Sequence, residues 1–148
     1  MGYYDSDIRI AEKEINRLKS RIHETYKSRL KNDHKLKEWK SACEEFHSKF
    51  EKLAFPGGFG GAYERILKGE PKAIEAALCF IELRPYFFRS GYMYKDILRK
   101  LNKAPLKPSE CSRYQVVKSA YLEYRSKNTY KNFKRDNKKL ATKINSAD

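Results

Sequence analysis

The 148-residue sequence predicts an all-α fold, on three observations. Apolar residues recur at spacings of three and four along most of the chain. No segment alternates apolar and polar residues between turn dipeptides, as a half-buried strand would. Proline and glycine fall between the periodic segments, at Pro56-Gly57-Gly58, Gly69, Pro71 and Pro85, where they start or stop helices. The expected architecture is one domain, residues 1–148. A helical hairpin over 1–54 packs on a compact bundle of short central helices over 55–108, and basic helices follow over 109–148.

The first third carries two apolar stripes. Ile8, Ala11, Ile15, Leu18 and Ile22 form one, and Leu36, Trp39, Cys43, Phe46, Phe50 and Leu53 form the other. Each is the seam of a helix that packs on another helix. Between them the seam positions are the polar Thr25, Arg29 and Asn32, and Tyr26 and Leu30 shift the stripe. One helix of about 49 residues would reach about 70 Å. It would expose Trp39, Phe46 and Phe50, and it would need a partner such as a second copy along the 8–53 seam. The hairpin is the expected form. Asn32 is suited to a left-handed C-cap and Asp33 to the next N-cap.

The centre starts at the glycine-rich bend. Ala62 to Lys68 reads as a short helix stopped by Gly69, and Glu70-Pro71 restarts the chain with proline at the first helical position. From Pro71 to about Arg84 the sequence is apolar nearly all round, through Ala76-Ala77-Leu78-Cys79-Phe80-Ile81. A helix of that kind is surrounded by others. Pro85 ends it. Ser90 is expected to cap a helix to about Lys103, with Tyr94, Ile97, Leu98 and Leu101 buried. Ser109 is expected to cap the next, with Tyr114, Val117, Tyr121 and Tyr124 on its stripe. Asn128-Thr129 read as a stop and restart before a last helix with Tyr130, Phe133, Leu140 and Ile144 on one face.

Composition narrows the function classes. The net charge of +14 and pI of about 9.7 favour anionic partners. The charge climbs along the chain: net +3 over 1–53, +5 over 54–108 and +6 over 109–148. Cys43, Cys79 and Cys111 are too widely spaced for a disulfide framework or a zinc site, so a reducing, cytoplasmic setting is expected. The N-terminal residues lack the charged and apolar regions of a secretory signal, and no stretch has the apolar length of a membrane span.

Catalytic signatures are missing. Glu44 and His47 form an E-x-x-H, but di-iron bundles need two copies, so neither metal nor cofactor is expected. Glu64, Glu75 and Glu82 form no recognisable acid–base pair, and an enzyme is not expected. Two sets of residues remain as ligand candidates in the centre. Gly57, Gly58, Gly60 and Gly61 could align backbone N–H groups at a helix start, as an anion cradle does, although the P-loop pattern itself is absent. Arg84, Arg89 and Tyr92 could grip a phosphate or stack on a base.

The partner signal is clearest at the C-terminus. Lys127, Lys131, Lys134, Arg135, Lys138 and Lys139 step by three or four along one side, matching a phosphate backbone. The expected function is a non-catalytic interaction module that engages nucleic acid or another polyanion through this row. One alternative is a protein–protein adaptor using the aromatic groove or the 8–53 seam. The other is an enzyme or sensor holding a phosphorylated small molecule at the glycine-rich bend.

Overall fold

The computed structural model describes residues 2–146, except the side chains of Thr129, Tyr130, Asn132, Phe133, Asp136 and residues 140–146. The described residues form six helices and no strand: α1 Asp5–Tyr26, α2 Asp33–Ala54, α3 Ala62–Leu67, α4 Pro71–Leu83, α5 Ser90–Lys103 and α6 Pro108–Ser146. They divide into two compact units, Met1–Cys111 and Ser112–Asp148.

In the first unit α1 and α2 form the hairpin, packed along each other. Ile8, Ile15, Leu18 and Phe46 of the expected seams are buried, joined by Ala42 and Ala54. The polar seam positions explain the bend. Thr25 donates its hydroxyl to the Arg21 carbonyl at 2.8 Å, and the chain tightens through Arg29 N–H to Tyr26 O and Lys31 N–H to Ser28 O. The capping register differs from expectation by one residue. Asn32 is extended and is itself the N-cap of α2, its Oδ1 accepting from Lys35 N–H at 2.9 Å. The short turns after Tyr26 end α1 well before Asn32, which leaves that side chain for the second helix. The Arg29 guanidinium lies 3.5 Å from the Tyr26 ring centroid and 5.7 Å from that of Trp39, closing the hairpin end with a cation on two aromatics. Glu45 of α2 receives Lys49 of its own helix and Arg21 of α1. Its carboxyl is held below the usual carboxylate range, foremost by the Lys49 bond.

Helix α4 is the centre of this unit. Ala73, Ile74, Ala76, Ala77, Leu78, Cys79, Phe80 and Ile81 are all buried, and α1, α3 and α5 pack around them. Pro71 opens the helix as expected, and it ends at Leu83, one residue before the residue that precedes Pro85. Phe80 stands 6.2 Å from both Phe55 and Phe87, ring to ring, and Phe87 stands 6.1 Å from Phe50. This run of rings ties the end of α2 to the chain after α4. From α5, Met93, Tyr94, Ile97, Leu98 and Leu101 are buried.

Gly69 closes α3 with a Schellman motif. Its N–H donates to Ile66 O at 2.9 Å and Glu70 N–H donates to Arg65 O at 3.1 Å, at a φ of 77°. A Cβ at this position would meet Pro105 Cγ at 2.6 Å, so glycine serves both conformation and close approach.

Two further caps differ from expectation. Ser90 is buried and is the first residue of α5; its Oγ accepts from Phe87 N–H at 3.0 Å, locking the preceding turn rather than capping the helix. Helix α6 starts at Pro108, and Glu110, not Ser109, reaches back to accept from Lys107 N–H at 2.8 Å. The expected break at Asn128-Thr129 is absent: α6 runs unbroken from Pro108 to Ser146. Asparagine and threonine each cost a helix interior only about 0.7 kcal/mol at most, far less than proline. Of the expected stripe Tyr114 is buried, whereas Tyr124 is 53% exposed. The expected apolar face of Tyr130, Phe133, Leu140 and Ile144 lies outside the described side chains.

Two substitutions probe this arrangement by urea unfolding. Asn32→Ala removes one cap and should cost about 1 kcal/mol. Phe80→Ala opens a cavity in the most buried helix and should cost about 3–5 kcal/mol. Similar losses at both sites would contradict the central place of α4.

Candidate functional site

Three sets of sequence-derived candidates are placed far from equally. Gly57, Gly58 and Gly61 have φ of 84°, 94° and 74°, so the bend does use the left-handed freedom of glycine. Its polarity, however, faces a cation. Arg65, one turn into α3, donates to Gly58 O at 2.7 Å and to Gly60 O at 2.8 Å. The amides of Gly58, Phe59 and Ala62 donate within the chain, to Phe55, Glu51 and Phe59 carbonyls. The Glu51 carboxylate lies against Gly60. A short helix, an inward arginine and an adjacent carboxylate make a tight corner, and they give an anion little to hold.

Arg84 and Arg89 are brought together in a groove of about 760 Å3 between α1, the 84–89 connector and the start of α5. Both arginines have left-handed backbone, with φ of 49° and 67°. They are the only described non-glycine residues with positive φ. Such conformations cost a side-chain-bearing residue about 1–2 kcal/mol, which makes arginine a costly choice where glycine would serve. Arg84 terminates α4 through its N–H to Phe80 O at 2.8 Å, and its guanidinium lies 4.7 Å from the Tyr94 ring centroid. Arg89 precedes α5, 5.2 Å from the Phe88 ring centroid.

Helix α1 forms the opposite wall and holds the connector by its backbone. Arg9 donates to Leu83 O at 3.2 Å, Asn16 donates to Tyr86 O at 3.0 Å, and Glu12 accepts from Tyr86 N–H at 2.6 Å. Lys19 and His23 complete the wall. The Lys19 ammonium sits 4.3 Å from the Phe88 centroid and 5.4 Å from that of Phe46. Sequence reasoning missed Asn16, Lys19 and His23. Their signal is positional: they step along α1 one residue beyond the seam residues Ile15, Leu18 and Ile22, on the edge that must meet whatever packs beside the hairpin.

Tyr92 does not join Arg84. It is 75% exposed and lines a second hollow of about 470 Å3 with Phe50, Phe59, Tyr63, Met93 and Asp96, which Arg89 also borders. There the Tyr63 hydroxyl donates to Asp96 Oδ2 at 3.2 Å. Burial, then the Asp96 charge and this bond, push the Tyr63 phenol far above the usual tyrosine range.

The cationic row lies on one uninterrupted helix, and Lys127, Lys131, Lys134, Arg135, Lys138 and Lys139 are all exposed. At 3.6 residues per turn, Lys127, Lys131, Lys134 and Lys138 fall within about 60° of arc, with Arg135 and Lys139 beside them, over about 18 Å. Lys127 also pairs with Glu123 at 3.0 Å.

The remaining chemistry is sparse. Glu75 accepts from Tyr3 N–H at 3.2 Å and from the Cys79 thiol at 3.3 Å, Glu64 and Glu82 are exposed on different helices, and His47 is exposed. Among the described residues no three His, Cys, Asp or Glu side chains converge as metal ligands would, and no helix is long and apolar enough to cross a membrane. Compared with protein-family models, with curated proteins and with solved structures, the chain matches none.

Tyrosine ionisation tests the second hollow. Free tyrosine titrates near about 10. An unfolded chain therefore ionises Tyr63 there, while the folded chain keeps it protonated. The stabilising contribution at Tyr63 is full below about pH 10 and is lost as pH rises above it. Absorbance titrations of the parent and Tyr63→Phe should coincide through the main tyrosine transition. A phenolate missing from the variant in that range would contradict the half-buried Tyr63–Asp96 pair.

Proposed function

We propose that this protein is a non-catalytic helical module that binds a polyanion, nucleic acid above all, through the basic face of α6. The observation that carries the reading is the row Lys127, Lys131, Lys134, Arg135, Lys138 and Lys139, exposed on a helix that continues through Asn128-Thr129. A break there would turn Lys127 away from the rest. On a continuous helix successive cations stand about 6 Å apart in rise for a spacing of four residues, a pitch suited to successive phosphates. The mechanism is counterion release: each phosphate neutralised frees a condensed cation, so affinity falls steeply with salt and carries little base preference.

The adaptor reading has less support from the geometry. A long seam would need a partner helix, but Ile8, Ile15, Leu18 and Phe46 are already covered inside the hairpin. The phosphorylated-ligand reading at the glycine-rich bend is weakened by Arg65 and Glu51, which turn that corner toward cations.

Binding to a generic double-stranded DNA, followed by fluorescence anisotropy over a salt series, tests the proposal. Reversing Lys131, Lys134, Arg135 and Lys138 to glutamate should weaken binding at least ~10-fold and flatten the salt slope by about 0.9 per lost phosphate contact. An unchanged affinity in the quadruple variant would refute the role of α6.

A further inference from the structure

We infer a second anion site, within the first unit: the groove between α1, the 84–89 connector and the start of α5 binds a small molecule that carries a phosphate group and a planar ring. Its lining includes Lys19, Arg84 and Arg89 together with His23 and Asn16, and it contains no carboxylate. Lys19 and Arg89 place like charges in one concavity, and an anion between them relieves their repulsion. Among the described residues no carboxylate pairs with Lys19 or Arg89. Glu12, which fastens the connector from α1, is held by Arg9 at 3.0 Å and by Tyr86 N–H at 2.6 Å.

The backbone adds a second line of argument. Two arginines occupy left-handed positions at either end of the six-residue connector 84–89, where glycine would be free of strain. Strained backbone kept at a concave site points from conformation to function. Both residues line the same groove, whose volume of about 760 Å3 lies within the range of small-molecule sites. Gly91 has open space where a Cβ would stand, so the start of α5 is uncovered on this side, and its field has the sign that favours an anion. Tyr86, 84% exposed, lines the same groove and offers a face to a planar ring. The phosphate falls to Lys19, Arg84 and Arg89, and the ring to Tyr86.

The left-handed conformation also supplies a clean variant. Arg89→Gly removes the cation from a position that suits glycine, so the fold is expected to hold its thermal midpoint or gain. Amide spectra of the full chain are titrated with inorganic phosphate and with adenosine monophosphate. The expected result is saturable shifts over Asn16–His23 and Arg84–Tyr94 with both probes, with the mononucleotide saturating at lower concentration. Arg89→Gly and Lys19→Gln should each raise the half-saturation concentration at least ~10-fold at an unchanged thermal midpoint. Shifts confined to 127–139, half-saturation unchanged in both variants, or phosphate binding as well as the mononucleotide would each overturn the site as stated. Because α6 is untouched by these variants, DNA binding should be the same in all of them, which keeps this test apart from that of the α6 reading.

Discussion

The structure of residues 1–111 depends on burying the apolar side chains of α4. Eight of its thirteen side chains are buried and apolar, and only Pro71, Lys72 and Glu82 are exposed. At about 25 cal/mol per Å2 of apolar surface removed from water, a helix of this kind outweighs any single cap or surface ion pair around it. The surrounding elements are arranged accordingly. Helix α3 is only six residues long, α5 presents one apolar edge, and the α1–α2 hairpin contributes α1 as the third wall. Each of these covers part of α4 and leaves its own polar face to solvent.

That constraint sets the exits of α4, and the exits produce the groove. At its start Pro71 follows the Gly69 turn, packed against Pro105. At its end the chain must leave a buried helix, bring Phe87 back onto Phe80 and re-enter α5 within six residues. Arg84 and Arg89 take left-handed conformations to make those two corners, and α1 fastens the stretch between them through Arg9, Glu12 and Asn16. A concave, cation-lined surface is the by-product of plugging α4 with Phe87, which is why the groove stands at the joint between the hairpin and the core.

Much of this was legible in the sequence because it depends on single residues or on one periodicity. Pro71, Gly69 and Pro85 punctuate helices by their own covalent geometry, and the all-round apolar run of α4 states its burial directly. The hairpin followed from the polar seam positions Thr25, Arg29 and Asn32. What stayed hidden depends on partners distant along the chain. Ser90 looked like a cap, but Phe87 claims its hydroxyl. The polarity of the glycine bend is decided by Arg65, whose reach to two carbonyls no spacing rule describes. Arg84 and Arg89 were identifiable as candidates, whereas Lys19 and His23 sit more than sixty residues away and join them only through the packing of α1 on the core. The α6 cations were visible as a row, and the continuity of the helix beneath them was not, because Asn128-Thr129 carry a weak stop signal that a long helix overrides.

Native-state hydrogen exchange tests the primacy of α4 most directly. If its burial holds the first unit together, the amides of Ala77, Leu78, Phe80 and Ile81 can exchange only when that unit unfolds as a whole. Their exchange free energies should equal the global unfolding free energy of that unit and respond to denaturant with the full slope. The amides of α1 and α2 should exchange at or below that value. Exchange of the α4 amides through a smaller opening, while the α1–α2 hairpin stays protected, would contradict this account and make the hairpin the stable nucleus instead.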